Sequence, residues 1–431
     1  MTARTVLAKT RSLHRAMTSA AISACLNAVL SCGFLLTLAS TQVRADEASA
    51  TAPQLSDQES KTDDTFPVLI GSQDLMLEQL HVASSGSSPR KTQASLLMDR
   101  LRGGLFFAPD LSLQSEFAVA PMRTSLHLSH KDHFFSDEGI YLEQLYLKAE
   151  QDNLLGYVGK FDPQISHAAD TAPGVFGSDY VGDYQPHQML GSGGAFRWQD
   201  GWDGRHTLAG ALFMADNTPL GQSALTSPRF GQTNTSQPGR LHYGDGGVAN
   251  TRIPRSGLIR MDGDATALDM PGLNYHLAYA LLYRGVGQTA NQQDFVAGVN
   301  HTLQLDENLY LLTQAEYAYI LDNGGTPASG QTTQLPSAKA DYITFAAELW
   351  WNGWNLSGVQ TVRDLGQPNI GNGIVNRSAY EQLLTTSIGY SWSWGLWTSV
   401  GWKHEHGYDA LVGYPVGTQT VGVQLGYHQD F

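Results

Sequence analysis

The groups in this chain that could do chemistry are fixed charges rather than nucleophiles. Arg100 and Arg102 stand two residues apart in a segment whose other side carries Leu97, Leu101, Leu105 and Phe107. In an extended strand that spacing puts both guanidiniums on one face, beside Met98 and Gly104. Four carboxylates, Asp162, Asp170, Asp179 and Asp183, fall in one connection. Glu316 and Glu348 lie in alternating segments, on faces otherwise made of small and polar residues. Carboxylates opposed to guanidiniums across a narrow aqueous passage set up a transverse field that orients water and charged solutes. Lys160 and Arg197 are weaker candidates for the basic side. Covalent catalysis has no comparable support: Ser, His and Asp occur, but no spacing singles out a nucleophile with its base. The expectation is therefore no enzyme and no cofactor.

Histidines offer a metal reading that the pattern does not sustain. His127, His130 and His133 are spaced by three beside Asp132, and His404-Glu405-His406 closes another segment. Spacing of three gathers imidazoles only on a helical turn; in polar loops they read as solvated side chains, and no metal is expected. No glycine-rich phosphate loop sits between a strand and a helix, so the glycines read as strand, turn and interior residues.

The elements that must position these charges begin after a targeting segment. Arg4, Lys9, Arg11 and Arg15 precede an apolar stretch from Ala16 to about Ala39, and Val43-Arg44-Ala45 is a small-x-small cleavage site. An uncleaved anchor helix and a lipoprotein box at Ile22-Ser23-Ala24-Cys25 are the rival readings. Cleavage after Ala45 removes both cysteines, Cys25 and Cys32, and so excludes disulfides and Cys–metal sites from the mature chain. It leaves 21 basic against 40 acidic residues, a balance that excludes nucleic acid as a partner. Residues 46–66 are acidic and rich in Ser, Thr and Ala, a disordered periplasmic leader. Beyond the leader there is no run of 18 apolar residues, which excludes a helical membrane protein.

From residue 67 to 431 the chain reads as all-β. Ile343, Phe345, Ala347, Leu349 and Trp351 alternate with Tyr342, Thr344, Glu348 and Trp350. Leu384, Thr386, Ile388, Tyr390 and Trp392 alternate with Thr385, Ser387, Gly389 and Ser391. A second face of small and polar residues suits a wet lumen better than a packed core. Short turns near 108–109, 151–152, 201–203, 306–307, 352–353 and 393–394 alternate with long connections, as in a transmembrane barrel with tight turns on one rim. Eight of the nine tryptophans, Trp198, Trp202, Trp350, Trp351, Trp354, Trp392, Trp394 and Trp397, flank those short turns, where an interfacial belt would place them. If both termini share the periplasmic side, parity requires an even number of strands. Counting back from 418–430 gives fifteen, and 67–82 supplies the sixteenth; with 67–82 as a helix the count is fourteen.

The final segment, Val421, Val423, Leu425, Tyr427, Gln429, Phe431, alternates and stops on Phe. It resembles the carboxy-terminal signal by which outer-membrane proteins reach the barrel-insertion machinery, with Tyr427 and Phe431 as its key residues and Gln429 as its departure. The fifth strand ends in Gly159-Lys160-Phe161-Asp162-Pro163, and the 162–190 connection carries Phe176-Gly177-Ser178-Asp179. Both resemble the general porin family, trimeric sixteen-stranded barrels of the Gram-negative outer membrane, with Ser178 in place of a glycine. The resemblance implies that 162–190 folds into the lumen. Asp162, Asp170, Phe176, Gly177, Asp179 and Asp183 would then form a constriction facing Arg100 and Arg102. It also implies an outer-membrane homotrimer, in contact with lipid and lipopolysaccharide, that passes small hydrophilic solutes and ions. Acidity adds an expected preference for cations. A channel specific for a sugar or other small solute, and a non-conducting structural or adhesion barrel, are the alternatives.

Overall fold

The computed structural model describes residues 66–86, 92–121, 132–135, 138–199, 204–226, 241–264, 272–324, 339–366, 379–409 and 414–431. The expected signal peptide (1–45) and residues 46–65 of the expected leader lie outside that set, as do Trp202, His127 and His130.

Alternation dictates the architecture. Sixteen long strands follow one another as β1 (Val68–Ser85), β2 (Gln93–Ala108), β3 (Leu111–Pro121), β4 (Glu138–Gln151), β5 (Leu154–Phe161), β6 (Met189–Gln199), β7 (Arg205–Ala215) and β8 (Ser256–Asp264). They continue as β9 (Leu273–Leu282), β10 (Gln292–Asp306), β11 (Leu309–Leu321), β12 (Lys339–Trp351), β13 (Trp354–Gly366), β14 (Ala379–Ser391), β15 (Leu396–Asp409) and β16 (Tyr414–Asp430). Each pairs antiparallel with the next, and β16 pairs back on β1 from Ser72↔Asp430 to Ser85↔Thr418. The result is a closed sixteen-stranded antiparallel barrel, which leaves no sheet edge. The segment at 67–82 is a strand, so the sixteen-strand count holds over fourteen.

Period two sorts the side chains. Leu212, Phe345, Leu356 and Val158 face outward and are more than half exposed, an apolar surface that only a bilayer suits. Inward lie Thr344, Thr361, Thr385 and Thr420, all buried. Of the tryptophans at the short turns, Trp351, Trp354 and Trp394 stand outward at 57%, 48% and 54% exposure, as an interfacial belt requires. Trp397 turns to the lumen side and lies against Gly426. Among the described residues, no helix is long and apolar enough to cross a membrane.

The short turns carry the backbone they need. Asn352 and Gly353, joining β12 to β13, both have positive φ (49° and 84°), as a two-residue type I′ hairpin demands. The seam at the chain's end depends on a glycine: Gly71 and Phe431 exchange backbone hydrogen bonds of 2.9 Å each way. A Cβ on Gly71 would sit 2.5 Å from the Phe431 ring. A dipeptide, Leu225–Thr226, pairs with Ile140 and Gly139 of β4.

Candidate functional site

The connection from β5 to β6 runs inward and crosses the lumen. Its two ends are pinned by Asp162, whose Oδ1 accepts from the Gln188 amide (2.5 Å) and whose Oδ2 faces His187 Nδ1 (3.2 Å). Gln185 closes the neck: its Oε1 accepts from the Ile165 and Ser166 amides, and its Nε2 donates to Pro163 O. Apolar packing does the rest. Phe161, Ile165, Ala168, Val181 and Tyr184 bury against Ala278, Ala280, Val296, Ala318, Ile320 and Tyr342 of the inner wall. Small residues inside β9–β12 leave the room the loop fills.

The first anchor is Glu316 on β11. Its carboxylate accepts from Ser166 Oγ (2.5 Å), the His167 and Ala168 amides (2.9 and 3.0 Å) and Tyr184 Oη (2.6 Å), and it faces His276 Nε2 at 2.8 Å. The His167 ring stacks on His276 at 4.3 Å and its Nε2 faces Asp262 at 3.1 Å. Arg260 holds Asp262 (2.7 Å) and Gln164. Glu316 is thus buried under the loop, occupied in holding it.

The tip lands on β13–β16. Gly174 lies against Ser357 and Ser387, and the Val175 amide donates to Ser387 Oγ at 3.0 Å. Phe176 is buried, and Lys403 Nζ stands 4.9 Å from its ring centre. Gly177 is a close approach: a Cβ there would meet the Ala172 carbonyl oxygen at 2.5 Å. Asp179 pairs with Lys403 Nζ at 2.6 Å. Asp183 pairs with Arg363, which also holds Glu381 and lies 3.8 Å over the Tyr180 ring. Burial raises the Asp183 carboxyl above its ordinary range, against the pull of Arg363. Burial disfavours the His187 imidazolium, yet the Asp162 hydrogen bond and charge outweigh it and raise His187 above 6.5.

Arg100 and Arg102 lie on the inner face of β2; the Asp162 charge at the root of the loop reaches Arg100, but Asp179 and Asp183 pair elsewhere. Arg102 pairs with Asp74 (Nη1, 2.5 Å) and lies 3.5 Å from Glu116. Arg100 Nε lies 3.7 Å from both Glu116 and Glu143, and its side chain is 44% exposed. Asp74 continues the chain of charge to His428 (2.6 Å), and His428 to Asp430 (3.2 Å). Glu78 accepts from Gln424 at 2.8 Å. Asp74, Glu116 and Glu143 therefore share one stretch of wall with the two arginines, Glu78 lies by the Asp179–Lys403 pair, and the loop's anchors gather on β8–β15.

The remaining candidates divide. Asp170 accepts from Gln164 at 2.7 Å within the loop. Glu348 accepts from Asn355 at 3.0 Å. Lys160 is no lumen cation: it is buried against Asp216 (2.9 Å), Gln188 and the Leu220 carbonyl. Tyr427 faces outward, 6.5 Å from the Trp394 ring, and Phe431 ends on the rim. Among the described residues, no group of three or more His, Cys, Asp or Glu could hold a metal. The alternation placed Glu316 and the arginines inward. It did not single out Lys403, Arg363, Glu116 or His276, which share the same inward parity and could have been flagged by it, nor Glu143, which a register shift puts out of that parity.

No protein-family model matches the chain, and no curated protein matches it. Solved structures do. OmpF of Salmonella typhi, in complex with daunomycin, is similar at 11% identity with a TM-score of 0.51, over 84% of this chain and 98% of that one. The outer-membrane channel DcaP of Acinetobacter baumannii matches 84% of this chain and 96% of its own at 9% identity, with a TM-score of 0.49. The fold is that of bacterial outer-membrane barrels.

Proposed function

We propose that this chain is an outer-membrane diffusion channel of the general porin type, passing small hydrophilic solutes and ions with a preference for cations. The observation that carries the reading is the 162–188 loop, held inside a closed sixteen-stranded barrel by Glu316, Lys403 and Arg363. It narrows the lumen toward a wall where Asp74, Glu116 and Glu143 outnumber Arg100 and Arg102. Such a wall favours cations, and the preference weakens at high salt as screening shortens the field. On this reading Asp162, Asp170, Phe176, Gly177, Asp179 and Asp183 are the loop side of the constriction and Arg100 and Arg102 the basic part of the wall. Planar-bilayer conductance with reversal potentials across a salt gradient tests it; stable insertion without single-channel steps would overturn it. A non-conducting barrel is the second reading, favoured by the apolar packing that fills the β9–β12 side of the lumen; the same recording separates the two.

The same proposal makes the chain a homotrimer, surrounded by lipid and lipopolysaccharide and delivered to the insertion machinery by Tyr427 and Phe431. One feature of the outer wall supports self-association. Asp99 lies on the outward face of β2 between Leu97 and Leu101, and Gln73 Nε2 reaches its two oxygens at 3.2 and 3.1 Å. Gln79 is a second exposed amide on this side, hydrogen-bonded to the buried Ser95. Carboxylates and amides facing hydrocarbon are destabilising, so this sector turns to another copy of the chain.

A further inference from the structure

We infer that Glu116 and Glu143 form a binding station on the pore wall for solutes bearing a guanidinium or ammonium group, with the Arg100 side chain as its displaceable occupant. The inference rests on the channel reading above. Both carboxylates come from neighbouring strands and both residues are more than nine-tenths buried, at 4% and 8% exposure. The register between β3 and β4 runs Glu116↔Gln144 and then Phe117↔Leu142, so Glu143 is the extra residue of a β-bulge. A bulge re-aims a side chain; here it lets consecutive residues, Glu143 and Gln144, both bury beside Glu116, and Gln144 Nε2 donates to Glu116 Oε2 at 3.4 Å.

The site is built but incompletely filled. Glu116 Oε1 and Glu143 Oε2 are buried oxygens that accept no hydrogen bond. Each lies 3.7 Å from the same atom, Arg100 Nε, and Glu116 Oε1 also lies 3.5 Å from Arg102 Nε. A guanidinium binds a carboxylate well when it presents two N–H groups as a fork; Arg100 presents one nitrogen edge to two carboxylates. An anionic oxygen buried without a donor is costly, so a solute that supplies N–H donors at that point is held. Two carboxylates beside two guanidiniums do not make a metal cage, and the donors wanted are N–H groups. The recognised class is therefore the hydrogen-bonding organic cation rather than any cation.

Two measurements test this on the full chain. In planar bilayers bathed in potassium chloride, guanidinium chloride should reduce the current in a saturable way, while tetramethylammonium chloride, equal in charge but without N–H donors, should not. Glu116→Gln with Glu143→Gln, or Glu143→Gln alone if the pair fails to fold, should raise the half-blocking concentration about tenfold, the cost of a charged hydrogen bond. Arg100→Gln should lower it. In detergent, calorimetric titration of guanidinium should find one site per chain in Arg100→Gln and none once both glutamates are also replaced. Equal action of the two cations, an unchanged half-block in the glutamate variants, or no binding by Arg100→Gln overturns the station. Binding by a barrel that carries no current keeps the station and overturns the pore reading.

Discussion

His276 Nε2 on β9 and the Glu316 carboxylate on β11 lie 2.8 Å apart beneath the start of the inward loop. Four further donors converge on that carboxylate, two of them backbone amides of the loop itself. Replacing Glu316 by Gln removes the charge they share. Breaking one side of a buried charged cluster costs about 3–5 kcal/mol. The variant should unfold at a lower temperature and, its loop loosened, conduct more per channel. Unchanged melting and conductance would show that the loop is held by its apolar contacts alone.

Selectivity should respond to each side of the ion pairs with opposite sign. Asp179→Asn leaves Lys403 uncompensated and should lower cation preference, whereas Lys403→Gln should raise it. Arg100→Gln should also raise it, since Glu143 then loses its arginine and Glu116 keeps only Arg102. A unit charge within about 4 Å of a passing ion is felt at about 1–4 kcal/mol at dielectrics between bulk water and a protein surface. Reversal potentials in a tenfold salt gradient read the shift; if none of the three moves it, the loop and wall lie away from the ion path.

The Asp162–His187 contact carries a pH dependence. His187 is raised above 6.5 in the folded chain by Asp162, so the contact favours folding most when the imidazole is protonated. That contribution is complete below the unfolded value and is lost as pH rises through the folded one. The barrel should therefore lose a little thermal stability as pH rises above 6.5, and His187→Gln should flatten the profile. A wild-type profile no steeper than that of the variant would refute it.

Association is tested on the outer wall. Asp99→Leu with Gln73→Leu removes the outward polar pair and suits lipid, so the chain should lose oligomer in native electrophoresis while each barrel stays folded. An oligomer of undiminished stability would place the contact elsewhere.

Much of the barrel was legible from alternation alone, because a wall between lipid and water imposes period two on every strand. Strands expected at 67–82, 340–351 and 354–363 are found at Val68–Ser85, Lys339–Trp351 and Trp354–Gly366. The site was legible only by halves. Period two gives the face of Arg100 and Glu316, but not their partners, which are set by which strands a folded loop happens to reach. The bulge at Glu143 shifts the pattern by one residue, and a strict period misassigns everything next to it. Lys160 has the right type and place for a lumen cation, yet the chain after β7 folds over it and Asp216 neutralises it.

The loop's anchors also fix an order of assembly. Ser166 and Glu316 are 150 residues apart in sequence, and Asp179 and Lys403 are 224 apart. Contacts of such long separation form slowly, since loop-closure entropy must be overcome before they contribute. Until β11 and β15 are in place the 162–188 segment lacks its Glu316 and Lys403 anchors. The barrel wall can zip from neighbour to neighbour, but the loop is fastened only once β15 has joined it, and the β16–β1 seam, Ser72 with Asp430, closes over a longer separation still. The constriction is therefore a late product of the wall's growth, fastened only when strands from the second half of the chain have arrived.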